Sequence, residues 1–153
     1  MIKVKNLDYV NSISLLNKFQ ILEESYYSDW YDCDDENAEY IWAIDGIDNP
    51  LGFLSYKILF DSNINEYIYI VKIYVLSQYR GQTPILIEGE RVSEILFRQI
   101  EKKEINILTL ESACDKLDDY YESLGFRNIQ EISNGFSQIK GTHAKIIVKT
   151  VVL

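Results

Sequence analysis

Residues 66–100 read EYIYIVKIYVLSQYRGQTPILIEGERVSEILFRQI, and the fold turns on how this stretch is divided. Glu66 to Leu76 is a run of β-branched and aromatic residues, long enough for a buried strand. A polar turn, Ser77 to Thr83, ends it. Beyond the turn Val92, Ile95, Leu96, Gln99 and Ile100 recur at helical spacing, and Glu101-Lys102-Lys103 closes the pattern. A strand that passes into a helix through a short turn aims backbone N–H groups at one point, which suits an anion. Thr83 fits an N-cap, Pro84 the first helical position, and the acids that follow the first turn. The expected helix start is therefore Thr83-Pro84, and a start of that kind needs no ligand.

Working outward, the strands before this stretch read as a meander. Tyr40–Ile44 ends in the turn signal Asp45-Gly46, Pro50 opens Leu51–Phe60, and Asp61-Ser62-Asn63 leads back into the central strand. At the start, Ile2–Val4 alternates with lysines as a short strand. Asp8 then opens a helix with Ile13, Leu15, Leu16, Phe19 and Leu22 as its apolar face. Tyr26 to Asn37, acidic and aromatic, reads as a short helix within a loop. After the central helix come a dense apolar strand, Ile105–Leu110, and a capping box at Ser112–Asp115. That box opens a helix carrying Leu117, Tyr121 and Leu124, and Gly125 stops it. Phe126–Ser133 and His143–Val151 read as two final strands. The order gives an α+β (mixed α/β) fold in three α/β/α layers. Its central sheet is mostly antiparallel, with about seven strands and about four helices, in one domain over residues 1–153.

Charge is distributed unevenly. The chain carries 24 acids, 15 bases and a net charge of −9. Ten acids lie between Phe19 and Tyr56, where there is no Lys or Arg; the remaining 14 acids face 15 bases elsewhere. A field this local repels nucleic acid and anionic membranes and draws cations. No window approaches the ~20 apolar residues of a membrane span. The start lacks the apolar core of a signal peptide. Cys33 and Cys114 are far apart and without metal-ligand spacing, so a reduced, cytoplasmic chain is expected, with neither a metal site nor a cysteine nucleophile.

Two motifs sharpen this. Val75-Leu76-Ser77-Gln78-Tyr79-Arg80-Gly81-Gln82-Thr83 lies at the strand-to-helix turn, and Tyr121-Glu122-Ser123-Leu124-Gly125-Phe126 ends the later helix. In this register they resemble the GNAT family of acyl-CoA-dependent N-acetyltransferases. Its turn carries Arg/Gln-x-x-Gly-x-Gly/Ala, and its fourth helix ends in Tyr-x-x-x-Gly-Phe. The small residues of the first motif fall here on Thr83 and Ile85, a degenerate form of the pyrophosphate-binding loop. Glycine at such points lets backbone approach a phosphate without an intervening Cβ.

The resemblance implies acetyl-CoA as the acyl donor, a homodimer as a family-level expectation, and a set of roles. Donor binding would fall to Val75, Leu76, Arg80, Gly81, Gln82 and Thr83, with Cys114 at the position of a family Asn. Tyr121 would protonate the departing thiolate. The base is open among Glu66, Glu23 and Glu24, with Glu66 favoured. The acceptor would lie along the acidic aromatic segment, at Glu23, Glu24, Tyr26, Tyr27, Trp30 and Tyr31. There a polyamine, a lysine side chain or an aminosugar would gain charge and cation–π contacts. Plain structural roles stand beside each of these. Tyr121 lies on the same helix face as Leu117 and Leu124, as a core tyrosine would. Trp30 and Trp42 suit a core beneath a solvated loop, and His143 suits a strand interior. The expected function is transfer of an acetyl group to a primary amine. The alternative is an inactive GNAT-like interaction module whose acidic face binds a basic protein.

Overall fold

The computed structural model describes residues 2–23, 36–112, 115–132 and 139–147. A seven-stranded sheet runs in the order β1-β2-β3-β4-β5-β7-β6. Its strands are β1 (Lys3–Asp8), β2 (Glu39–Ile44), β3 (Pro50–Asp61), β4 (Asn65–Val75), β5 (Ile107–Leu110), β6 (Arg127–Asn128) and β7 (His143–Ile146). The helices are α1 (Tyr9–Leu22), α2 (Val92–Glu101), α3 (Asp115–Ser123) and the single turn α4 (Ile129–Ile132). The sheet is mixed: β4 and β5 pair in parallel, whereas β1–β2, β2–β3, β5–β7 and β6–β7 are antiparallel. This is the expected α+β class. Two compact units divide the chain, Met1–Tyr56 with Lys72–Lys102 and Lys57–Val71 with Lys103–Leu153, so β3 and β4 contribute residues to both.

In the first unit, α1 begins where the sequence indicates. Asp8 caps it, its carboxylate accepting from the Asn11 N–H at 2.9 Å. The buried face differs from the expected one. Ser12, Leu16, Phe19 and Gln20 are buried, while Ile13 and Leu22 stand exposed. Aromatic packing and one hydrogen bond set this rotation. The Trp42 indole N–H donates to Ser12 Oγ at 2.9 Å, and the Phe19 ring meets Phe53 and Tyr74 edge-on, each at 5.5 Å. Trp42 and Phe53 face each other across β2–β3 with centroids 4.9 Å apart. A buried indole N–H needs a partner, so Ser12 must face inward and the helix turns with it.

The second departure concerns α2. It starts at Val92, not at Thr83-Pro84, and its N-cap residue Arg91 makes no side-chain cap. Residues 84–91 form a tight turn in which Ile87 and Glu90 exchange both backbone hydrogen bonds, at 2.8 and 3.0 Å. Glu88 (φ 51°) and Gly89 (φ 83°) stand at its tip. Two successive left-handed residues suit such a turn and end a helix. Starting at Val92 also lets Val92, Ile95, Leu96, Phe97 and Ile100 all be buried, whereas Ile85 and Leu86 are about half exposed.

In the second unit, β5 lies between the first half of β4 and β7. Ile68 pairs with Leu108, and Leu110 pairs with His143. Tyr67, Tyr69, Ile129, Ile139 and Ala144 form its core on one sheet face. Burial, and secondarily the Glu111 carboxylate, pushes the Tyr69 phenol above its ordinary value of 10. The Lys140 ammonium lies 4.7 Å over the Tyr69 ring. Gly125 ends α3 at φ 99°, with the Leu124 and Phe126 N–H groups both donating to the Tyr121 carbonyl, as its sequence position suggests. Among the described residues, the expected strand Phe126–Ser133 pairs only at Arg127–Asn128. Asn128 Oδ1 accepts from the Gln130 N–H at 2.9 Å and turns the chain into α4, a local bond that competes with the ladder.

Candidate functional site

In the first unit the expected donor residues cluster at the end of β4. Val75 and Leu76 are buried there. The Leu76 N–H is committed to the Leu51 carbonyl on β3 at 2.9 Å. A one-turn 3-10 helix, Ser77–Tyr79, follows. Its first N–H, that of Ser77, donates to Glu23 Oε2 at 2.8 Å. The Arg80 guanidinium folds back over this turn. It donates to the Val75 carbonyl at 2.9 Å, lies 3.7 Å from Glu23 Oε1, and stacks 5.1 Å from the centroid of the Tyr74 ring. Its side chain keeps 42% of its exposure, so the charge still reaches solvent.

Beyond Arg80 the chain opens. Gly81 takes φ 88°, and an added Cβ there would meet nothing within 4 Å. Gly81, Gln82 and Thr83 are exposed, and their N–H groups have no hydrogen-bond partner among the described residues. Pro84 carries no N–H, and the Ile85 N–H then returns to the Gln78 carbonyl at 2.8 Å. Three successive free amides directly after Arg80 in the chain are donors that can receive an anion. Thr83 therefore leaves its backbone N–H open here and caps no helix. A separate cavity of about 190 Å³ is lined by Ile2, Val4, Ile87, Glu88, Ile95 and Arg98 among others, and touches none of the expected site residues.

Glu23 stands out. The sequence placed it with the acceptor residues, yet it is buried with its carboxylate turned to Ser77 and Arg80. Helical spacing carried the signal. Residues 12, 16, 19, 20 and 23 fall on one face, so the residue that caps the C-terminus of α1 continues its buried stripe.

In the second unit, Tyr121 on α3 is buried, with its ring 6.2 Å from Phe126 and 5.7 Å from Tyr120. Glu66 is exposed near the start of β4. His143, also buried, has Nδ1 at 2.8 Å from Thr142 Oγ1 and Nε2 at 3.8 Å from Asp118. The Ser112 N–H donates to that same threonine oxygen. Thr142 thus links His143 to Ser112, and the imidazole lies between it and Asp118 of α3. Glu24, Tyr26, Tyr27, Trp30, Tyr31 and Cys114 lie outside the described residues.

The segment from the end of β1 through the free amides, residues 7–83, matches the profile of the acetyltransferase (GNAT) family, and spans half of the chain. The chain belongs to the GNAT acetyltransferase family. Its members use acyl-CoA donors and acetylate amines. No curated protein matches the sequence. Solved structures share the fold at low identity. A GNAT acetyltransferase from Staphylococcus aureus Mu50 is 15% identical, with a TM-score of 0.64 over 97% of this chain and 100% of that one. Naa50 of Arabidopsis thaliana, in complex with the bisubstrate analogue CoA-Ac-MVNAL, is 17% identical, with a TM-score of 0.53 over 98% and 99%. An aminoglycoside acetyltransferase from an uncultured soil sample is 15% identical, with a TM-score of 0.55 over 84% and 93%.

Proposed function

We propose that this GNAT chain transfers an acetyl group from acetyl-CoA to a primary amine of a cationic acceptor: a polyamine, a lysine side chain or an aminosugar. The carrying observation is the set of unpaired N–H groups at Gly81, Gln82 and Thr83, directly after the Arg80 turn. They would bind pyrophosphate oxygens, and the exposed part of Arg80 adds charge beside them. Because the Leu76 N–H already serves β3, anion donors come from the loop and not from that amide.

In the reaction, the neutral amine attacks the thioester carbonyl, a C–N bond forms and the C–S bond breaks. The amine loses a proton, assigned to Glu66, and the thiolate gains one, assigned to Tyr121. The remaining work is alignment of the two reactants. The acidic stretch from Phe19 to Tyr56 favours a cationic acceptor, although the same carboxylates favour its protonated form. The two acceptors named for structural neighbours, a peptide analogue and an aminoglycoside, support an amine as the acceptor class.

Calorimetric titration with acetyl-CoA tests this. The expected Kd lies between about 1 μM and 1 mM, in the usual range of substrate affinities. Absence of binding at millimolar ligand overturns the reading. A second reading, an inactive interaction module that binds a basic protein, is favoured by the way Arg80 is held by Glu23 and Val75. Retention of a basic peptide without any acetyl-CoA binding would establish it.

A further inference from the structure

We infer that Glu23 is a positioning residue for the acyl-donor loop, and not a ligand of the acceptor amine. This rests on the acetyl-CoA reading above. A carboxylate buried to 7% exposure is costly unless its oxygens are satisfied. Each Glu23 oxygen has a partner on the far side of β4's end. Oε2 takes the Ser77 N–H at 2.8 Å, and Oε1 faces the Arg80 guanidinium at 3.7 Å. An incoming ammonium would have to displace Arg80 to reach it.

The two contacts fix different parts of the loop. Ser77 is the residue at which the chain leaves β4, so holding its N–H sets the direction of departure. Arg80 is the residue before the free amides, and its bond to the Val75 carbonyl folds the turn closed. On the other side, the Ile85 N–H bonds to the Gln78 carbonyl at 2.8 Å. Gly81, Gln82 and Thr83 therefore span two anchors, and Glu23 supplies the first. Their donors are held in place without any of them being used internally. Glu23 in turn is fixed by α1, since its own N–H bonds to the Phe19 carbonyl. The end of α1 thereby sets donor binding.

Steady-state kinetics of Glu23→Ala and Glu23→Gln test this. Glutamine keeps an oxygen for the Ser77 N–H and loses only the charge facing Arg80. Glu23→Ala should raise the acetyl-CoA KM by about tenfold, with kcat and the amine KM within about twofold. Glu23→Gln, which loses the charge facing Arg80, should raise the acetyl-CoA KM by about threefold with the amine KM unchanged. It carries the test if the alanine variant does not fold, since an acetyl-CoA KM equal to wild type would then overturn the inference. A rise in the amine KM with the acetyl-CoA KM unchanged would overturn the inference. If the wild-type chain neither binds nor turns over acetyl-CoA, the proposed function fails, and amide hydrogen exchange then decides the positioning role separately. Exchange at Ser77 should quicken by about tenfold or more in whichever variant loses its partner, and exchange as slow as in wild type overturns the role.

Discussion

At the scale of single residues, the tyrosine at the end of α3 carries the sharpest test. Tyr121 is buried beside Phe126, a setting that serves a core tyrosine and a proton donor equally. Removing the hydroxyl separates the roles. Tyr121→Phe should lower kcat by about 10²-fold, with the acetyl-CoA Kd within about twofold, because general acid catalysis is worth that much or more. Turnover equal to wild type would assign Tyr121 to the core. Arg80 teaches the complementary lesson. Its place after the strand was legible, but its bond back to the Val75 carbonyl was not, because a guanidinium's partners depend on which elements lie within reach.

Among elements, the close approach of β3 to the end of β4 positions the donor loop. Gly52 permits it: a Cβ there would stand 2.9 Å from the Tyr74 carbonyl oxygen and 3.1 Å from Val75 Cγ2. The clash is with backbone, which has little room to yield. Gly52→Ala should therefore destabilise the protein by roughly 1–3 kcal/mol, read by denaturant unfolding, as overpacking does elsewhere. A variant as stable as wild type would show that β3 can retreat. Helix beginnings were the least legible feature. Asp8 announces α1, and its side chain does cap it, because a cap is a local bond. Thr83-Pro84 has equally good local chemistry, yet the helix waits until Val92. The turn at Glu88-Gly89 and the burial of Val92, Ile95 and Leu96 outweigh a cap worth about 1 kcal/mol.

For the molecule as a whole, charge is the property that acts at a distance. Among the described residues of the acidic stretch, Glu36, Glu39 and Asp48 are exposed. Among those same described residues, no helix is long and apolar enough to cross a membrane. Polyamines and lysine peptides should outcompete neutral or acidic amines as acceptors, and their KM should rise with ionic strength as the field is screened. Equal use of acidic and basic amines, or a KM independent of salt, would remove the acidic stretch from acceptor recognition.

The sequence by itself determined the α+β class, most strand positions, the cap of α1, the glycine stop of α3 and the family. All of these follow from periodicity, turn chemistry and motifs that act over a few residues. Tertiary structure decided which face of α1 is buried, where α2 begins, and that Glu23 answers to Ser77 and Arg80. Glu23 and Ser77 are 54 positions apart, and no local rule couples them. Only folding places a buried carboxylate where an N–H and a guanidinium can satisfy it, and burial is what makes that pairing obligatory.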